Sequence, residues 1–234
     1  MKRAPLWWMA ILAVLAVIVA VQVVSAAGRA DSLVRGAMPT VQPGVDVLAG
    51  LTAVETRVRG GDYRRAAFGD AWDDANLAPG GRNGCDTRND ILERDLTDKT
   101  YVETRQCRRA VARGTLRDPY TNASISFVRG NRVGASVQID HIVPLAYAWD
   151  MGARGWSDAL RKRFANDPAN LLAVAGQANQ DKGDLPPGQW MPPNAAFRCQ
   201  YAMQFIAVLR GYGLRVDAPS AAQLRDAAGG CPRR

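Results

Sequence analysis

A single histidine, His141, stands directly after Asp140 in the run VQIDHIVPL. Some thirty residues on, NLLAVAGQANQDKGD supplies Asn170, Asn179, Lys182 and Asp184. An imidazole with an ordinary pKa near 6.5 can take a proton from water close to neutral pH. A carboxylate and an amide carbonyl are hard oxygen donors of the kind that suit Mg²⁺ or Mn²⁺ rather than softer metals. An ammonium or guanidinium nearby can meet phosphate oxygens. Taken together, these side chains suit hydrolysis of a phosphodiester. A lone histidine is more often structural than catalytic, so only the full set points to catalysis.

The elements must bring these residues together. Val, Gln, Ile and Asp before His141 read as a strand, and strand periodicity sends Asp140 and His141 to opposite faces. Both reach one site only if the strand ends or bends there, and Pro144 is consistent with such an ending. By its own pattern Asn170 reads as the cap of a helix beginning NLLAV. GQANQDKG continues as a helix carrying Asn179 and Lys182.

At this point the sequence resembles the HNH, or ββα-metal, nucleases, whose pattern is Asp-His at a strand end, a middle Asn, and Asn-x-x-Lys on a helix. DHIVP, Asn170, and Asn179 with Lys182 match the three parts in turn. GCDTRNDILERDL, DPYTN, IDHIVPLAYAWDMGARGW, FANDPANLLAV and WMPPN widen the match. On these the chain is similar to the exported branch of the GmrSD-like HNH endonuclease family, from about residue 45 to 231. The resemblance implies an α+β fold with a ββα-metal (His-Me finger) core embedded in additional helices. It implies His141 as general base, Asn170 as the residue that orients it, and Asp140 and Asn179 as ligands of one Mg²⁺ or Mn²⁺ ion. Arg88, in the CDTR motif, and Lys182 are the expected phosphate contacts. Arg88 pairing with Asp86, and Lys182 as an ordinary solvated charge, are the duller alternatives. The implied substrate is nucleic acid, DNA ahead of RNA, and the chain is expected to act as a monomer.

The rest of the chain reads as one domain. VDVLAGLTAVETRV and RRAAFGDAW carry apolar residues at helical spacing, and CDTRNDILERDL reads as a helix with Asp86 or Thr87 as N-cap. Between Thr100 and Ile139 alternating Val, Thr, Ile, Tyr and Phe predict short antiparallel strands. SDALRKRFAND and AAFRCQYAMQFIAVLRGYG predict helices. The tryptophans Trp72, Trp149, Trp156 and Trp190 are expected in the core rather than as base-stacking platforms.

The first 27 residues, MKRAPLWWMAILAVLAVIVAVQVVSAA, order two positive charges, an apolar run and small residues as a secretory leader does. The apolar run is also long enough to anchor in a membrane if it is retained. Either outcome places the domain outside the cytoplasm, and residues 28 to 44 read as a linker without fixed structure. Four cysteines, Cys85, Cys107, Cys199 and Cys231, lack the close spacing of a zinc site and fit two disulfides in an oxidising compartment. Three pairings are open, and locality favours Cys85 with Cys107 and Cys199 with Cys231. The formal net charge of +8 favours polyanionic partners but carries no chemistry. The competing reading is therefore an exported DNA- or polyanion-binding module without catalysis. A different hydrolase using His141 as a triad base is not supported by either local signature, because GxSxG and HExxH are both absent.

Overall fold

The computed structural model describes residues 38–130 and 136–233, so the leader and most of the linker lie outside the described residues. Among the described residues no helix is long and apolar enough to cross a membrane. The last part of the linker is ordered, contrary to expectation: the Val41 amide donates to Pro232 O at 3.0 Å, pairing it with the end of the domain.

The fold is a mixed α+β arrangement of small sheets and helices. Strand β1 (Ala53–Val54) is two residues long. Helix α1 (Thr87–Asp95) starts where the Asp86 carboxylate accepts from the Asn89 amide at 2.8 Å, satisfying one of the first turn's free donors. It runs directly into β2 (Leu96–Thr104), β3 (Cys107–Arg117) and β4 (Ser124–Val128), an antiparallel meander in the order β2-β3-β4. A second antiparallel pair joins β5 (Val137–His141) to β6 (Leu171–Ala175), with Asp140 opposite Leu172 and His141 opposite Leu171. Between these strands lie α2 (Leu145–Met151) and α3 (Asp158–Asn166). Strand β6 passes straight into α4 (Gly176–Lys182). The chain closes with α5 (Arg198–Tyr212), β7 (Val216–Asp217) and α6 (Ala218–Gly229), and β7 pairs in parallel with β1.

Two apolar clusters flank the β5-β6 pair. Ile91, Leu92, Leu116, Phe127, Val137, Ile139 and Leu171 join α1 to the sheets. A larger cluster unites the later helices through Tyr147, Phe164, Phe205, Leu209 and Leu224, all without exposure. Each such side chain contributes about 1.5–3 kcal/mol from burial. Trp149 belongs to this cluster, and Trp156 and Trp190 pack against it. Disulfides join Cys85 to Cys107 and Cys199 to Cys231, the local pairing favoured by the sequence. The first ties the start of α1 to the start of β3, and the second ties α5 to the residues after α6.

Three local expectations are corrected. The run from Val45 to Val58 forms turns and β1 rather than a helix, because Gly50 takes φ of +81° and breaks helical geometry between Leu48 and Leu51. RRAAFGDAW shrinks to one 3-10 turn over Arg65–Phe68, ended by Gly69 at φ +84°. LLAVA is strand β6 and not the start of a helix, so Asn170 caps nothing there; a short apolar run has no period that separates the two readings.

Candidate active site

The site is assembled where β5 ends against α4. Residues two apart on a strand share a face, and residues three apart on a helix share a side. Gln138 and Asp140 thus meet Asn179 and Lys182. Asn179 donates its amide Nδ2 to Gln138 Oε1 at 2.7 Å. Lys182 Nζ donates to both carboxylate oxygens of Asp140, at 3.0 and 2.8 Å, and to the His141 carbonyl at 2.7 Å. Lys182 has no exposed surface and Asp140 keeps 5%. Tyr120 also donates its hydroxyl to Asp140 Oδ2. Burial and the Asp140 charge hold this phenol well above its ordinary pKa, so it stays a donor. Burial draws the Lys182 ammonium below its usual value, and the Asp140 carboxylate works against that.

His141 points from the other face of β5. Its Nε2 lies 2.9 Å from the Ala165 carbonyl oxygen. A carbonyl only accepts, so the shared proton sits on Nε2 and Nδ1 keeps the lone pair. Trp72 stacks on the imidazole, with ring centres 5.5 Å apart and planes 12° from parallel. Burial first, then the positive charges of Arg65 and Lys182, push the ring's pKa down to about 3, against the Ala165 bond, so the resting imidazole is neutral.

Asn170 acts on the backbone rather than on the imidazole. The Ile142 amide donates to Asn170 O at 2.8 Å, the Val143 amide to its Oδ1 at 2.8 Å, and its Nδ2 returns a bond to Val143 O at 3.3 Å. These bonds turn the chain out of β5 one residue past His141 and hand it to Pro144, the residue before α2. The bend lets Asp140 and His141, on opposite strand faces, line a single cavity of about 360 Å³. Asn179, Asp184, Tyr63 and Arg65 line it with them.

The two basic residues expected at phosphate are engaged elsewhere. Lys182 is enclosed on Asp140, where its charge offsets a buried carboxylate. Arg88 donates to the Val137 carbonyl at 3.1 Å and is absent from the cavity wall. Asp184 is paired with Arg57 at 3.1 Å and Arg59 at 3.0 Å. Arg65, by contrast, is exposed, lines the cavity beside His141, and meets no carboxylate among the described residues. Nothing in the sequence marked Arg65, Tyr63 or Trp72 for this site, because they come from a turn-rich segment more than 65 positions before His141. Tyr120 lay within the DPYTN match without an assigned role; the aspartate beginning that motif, Asp118, ties the turn to β6 through the Ala175 amide at 3.0 Å.

Asp140 and Asn179 are the oxygen donors that could hold a metal. Asp140 Oδ1 accepts from Lys182 alone, and Asn179, having turned its nitrogen to Gln138, leaves its carbonyl oxygen without a donor among the described residues. Among the described residues no three His, Cys, Asp or Glu side chains cluster as a metal cage. Two protein oxygens on an open cavity fit an ion such as Mg²⁺, which keeps several waters and takes other ligands from substrate phosphate.

The sequence of this chain is similar to that of known proteins in two respects. A secreted protein of Arthroderma benhamiae, itself uncharacterized, is 37% identical over 136 residues, which make up 57% of this chain and 62% of that one. This chain therefore spans less than two thirds of that relative's length. The family described as GmrSD restriction endonucleases, C-terminal domain, matches residues 86–227, a span that holds Tyr120, Asp140, His141, Asn170, Asn179 and Lys182 and leaves Arg65 and Trp72 outside. With most of its length inside that match, the chain belongs to the GmrSD-like HNH endonuclease family.

Proposed function

We propose that the protein is a metal-dependent endonuclease that hydrolyses phosphodiester bonds of nucleic acid, DNA ahead of RNA, outside the cytoplasm. The observation that carries this reading is the convergence of Asp140, His141 and Asn179 on one cavity in a chain of this endonuclease family. In this reading β5, β6 and α4 form the ββα core. Asp140 and Asn179 hold a divalent ion, Mg²⁺ or Mn²⁺. The chemistry such an ion supplies when bound is Lewis-acid relief of charge on the phosphate and its leaving oxygen.

The chain's own residues do the rest. His141 rests neutral with Nδ1 unprotonated, and takes the proton of the attacking water there. The Ala165 carbonyl fixes the tautomer, Trp72 fixes the ring plane, and Asn170 fixes the backbone that carries it. Arg65 offers its guanidinium to a non-bridging phosphate oxygen, the part first expected of Arg88 and Lys182. Lys182 and Tyr120 hold the Asp140 carboxylate in one orientation. Two disulfides and the secreted relative support action outside the cytoplasm.

The test is incubation of the disulfide-bonded protein with supercoiled plasmid, linear DNA and RNA, with Mg²⁺, Mn²⁺ or EDTA. Nicked and linear plasmid should accumulate with metal and not with EDTA. Tight DNA binding with no nicking under any ion would instead make the protein a binding module.

A further inference from the structure

The β2-β3 ribbon carries an excess of arginine that the catalytic reading does not use. Between Leu96 and Arg117 stand six basic residues, Lys99, Arg105, Arg108, Arg109, Arg113 and Arg117, against two acidic ones, Asp98 and Glu103. The five arginines are all exposed. Among the described residues none of them pairs with a carboxylate: Arg117 donates to Asn122 Oδ1 at 2.9 Å, and Arg109 lies over the Tyr101 ring at 4.1 Å. Elsewhere arginines such as Arg57, Arg94, Arg154, Arg161 and Arg225 hold partners among Asp side chains. Exposed guanidinium groups in excess, none held by a carboxylate, are open to an external polyanion.

We propose that this ribbon is a docking surface for the sugar-phosphate backbone of duplex DNA. The substrate class rests on the nuclease reading above. Strand β3 leads toward the site: beyond Arg117 the chain turns at Asp118 and reaches Tyr120, whose hydroxyl donates to Asp140. From Arg109 to Arg117 the strand covers about 27 Å at roughly 3.4 Å per residue, comparable to the ~34 Å of one duplex turn. The Cys85–Cys107 bridge clips the far end of β3 to α1, so the arginines are presented on a fixed rail rather than a loose arm. Preordering of that kind lowers the entropic cost of binding.

The experiment measures binding of a labelled 20-base-pair duplex in EDTA by fluorescence anisotropy, over a range of salt, on the disulfide-bonded protein carrying His141→Ala. Arg113→Gln with Arg117→Gln is compared with a charge-matched control, Arg163→Gln with Arg210→Gln, on α3 and α5. The ribbon pair should weaken binding about tenfold at moderate salt and flatten the slope of log K against log salt by about 0.9 for each phosphate no longer neutralised. The control should change the affinity much less, and Arg113→Lys with Arg117→Lys should restore the slope. Equal losses in ribbon and control pairs would overturn the proposal, since net charge alone would then explain binding. So would a preference of the unaltered ribbon for single strands or RNA over duplex DNA. In the otherwise unaltered enzyme, hydrolysis of bis(p-nitrophenyl) phosphate should be unaffected by the ribbon pair while kcat/KM on plasmid falls. A protein that cuts nothing at all still gives the binding result, so failure of the nuclease reading and failure of the ribbon are separable.

Discussion

Lys182 holds Asp140 by both carboxylate oxygens, at 2.8 and 3.0 Å, from a position with no exposed surface. The pair is a structural tie as well as part of the candidate site. Removing either partner strands a charge in the interior, which costs about 3–5 kcal/mol. Asp140→Asn and Lys182→Met should each lower the unfolding free energy from denaturant melts by that order. The double variant should be more stable than the sum of the single losses predicts, because it leaves no uncompensated charge. Additive losses in a double-mutant cycle would dismiss the coupling.

His141→Ala should leave folding and metal-free DNA affinity close to those of the unaltered protein while lowering kcat by about 10²–10⁴, the usual contribution of a positioned base. Single-turnover cleavage checks it. A loss of less than about tenfold would mean that another group takes the proton.

Arg65 is exposed and unpaired with any carboxylate among the described residues, so its substitution should carry little stability cost. Arg65→Gln should reduce kcat/KM on DNA by about 10- to 100-fold, since hydrogen bonds to charged groups contribute roughly 1.5–3 kcal/mol. Arg65→Lys should recover part of that, lacking the two-pronged geometry. Thermal melting alongside the kinetics separates a site effect from unfolding.

Asn179→Ala should shift the Mg²⁺ concentration needed for half-maximal cleavage upward, because it removes the amide oxygen left open to the cavity. A metal titration on this variant, at fixed ionic strength, reads the change directly. An unaltered midpoint with a lower plateau would assign Asn179 to holding Gln138 and not to the ion.

Cys85→Ser with Cys107→Ser opens a loop of 22 residues and should lower stability by about 3 kcal/mol in the chain-entropy account. Denaturant melts of the double variant, with peptide mapping of the parent under non-reducing conditions, test both the pairing and its weight.

Much of the core of this architecture could be read from the residues. The alternation before Asp140, the helix cap at Asp86 or Thr87 and the apolar residues of α5 follow local rules; the structure keeps all three elements and makes Asp86 the cap. Locality also favoured the cysteine pairing found. What escaped the sequence was long-range. Arg65 and Tyr63 reach the cavity, and Trp72 the His141 ring, from a segment whose Arg65–Phe68 turn packs on α2 and α3, and no periodic signal announces such contacts. Lys182 was expected to face phosphate, yet a lysine's destination depends on whether a buried carboxylate waits above it. LLAVA could be a strand or a helix by pattern alone, and pairing with β5 decided it.

The pairing of β1 with β7, with Val41 beside the Pro232 segment, sets a constraint in time as well as in space. Contacts that span most of the chain form late, since the loop between them must close first. The segment holding Arg65 follows β1, whose partners, Val216 and Asp217, lie far along the chain. Closing that long loop is the slower step, whereas Asp140 and His141 sit on the β5-β6 pair, whose two strands lie closer together in the sequence.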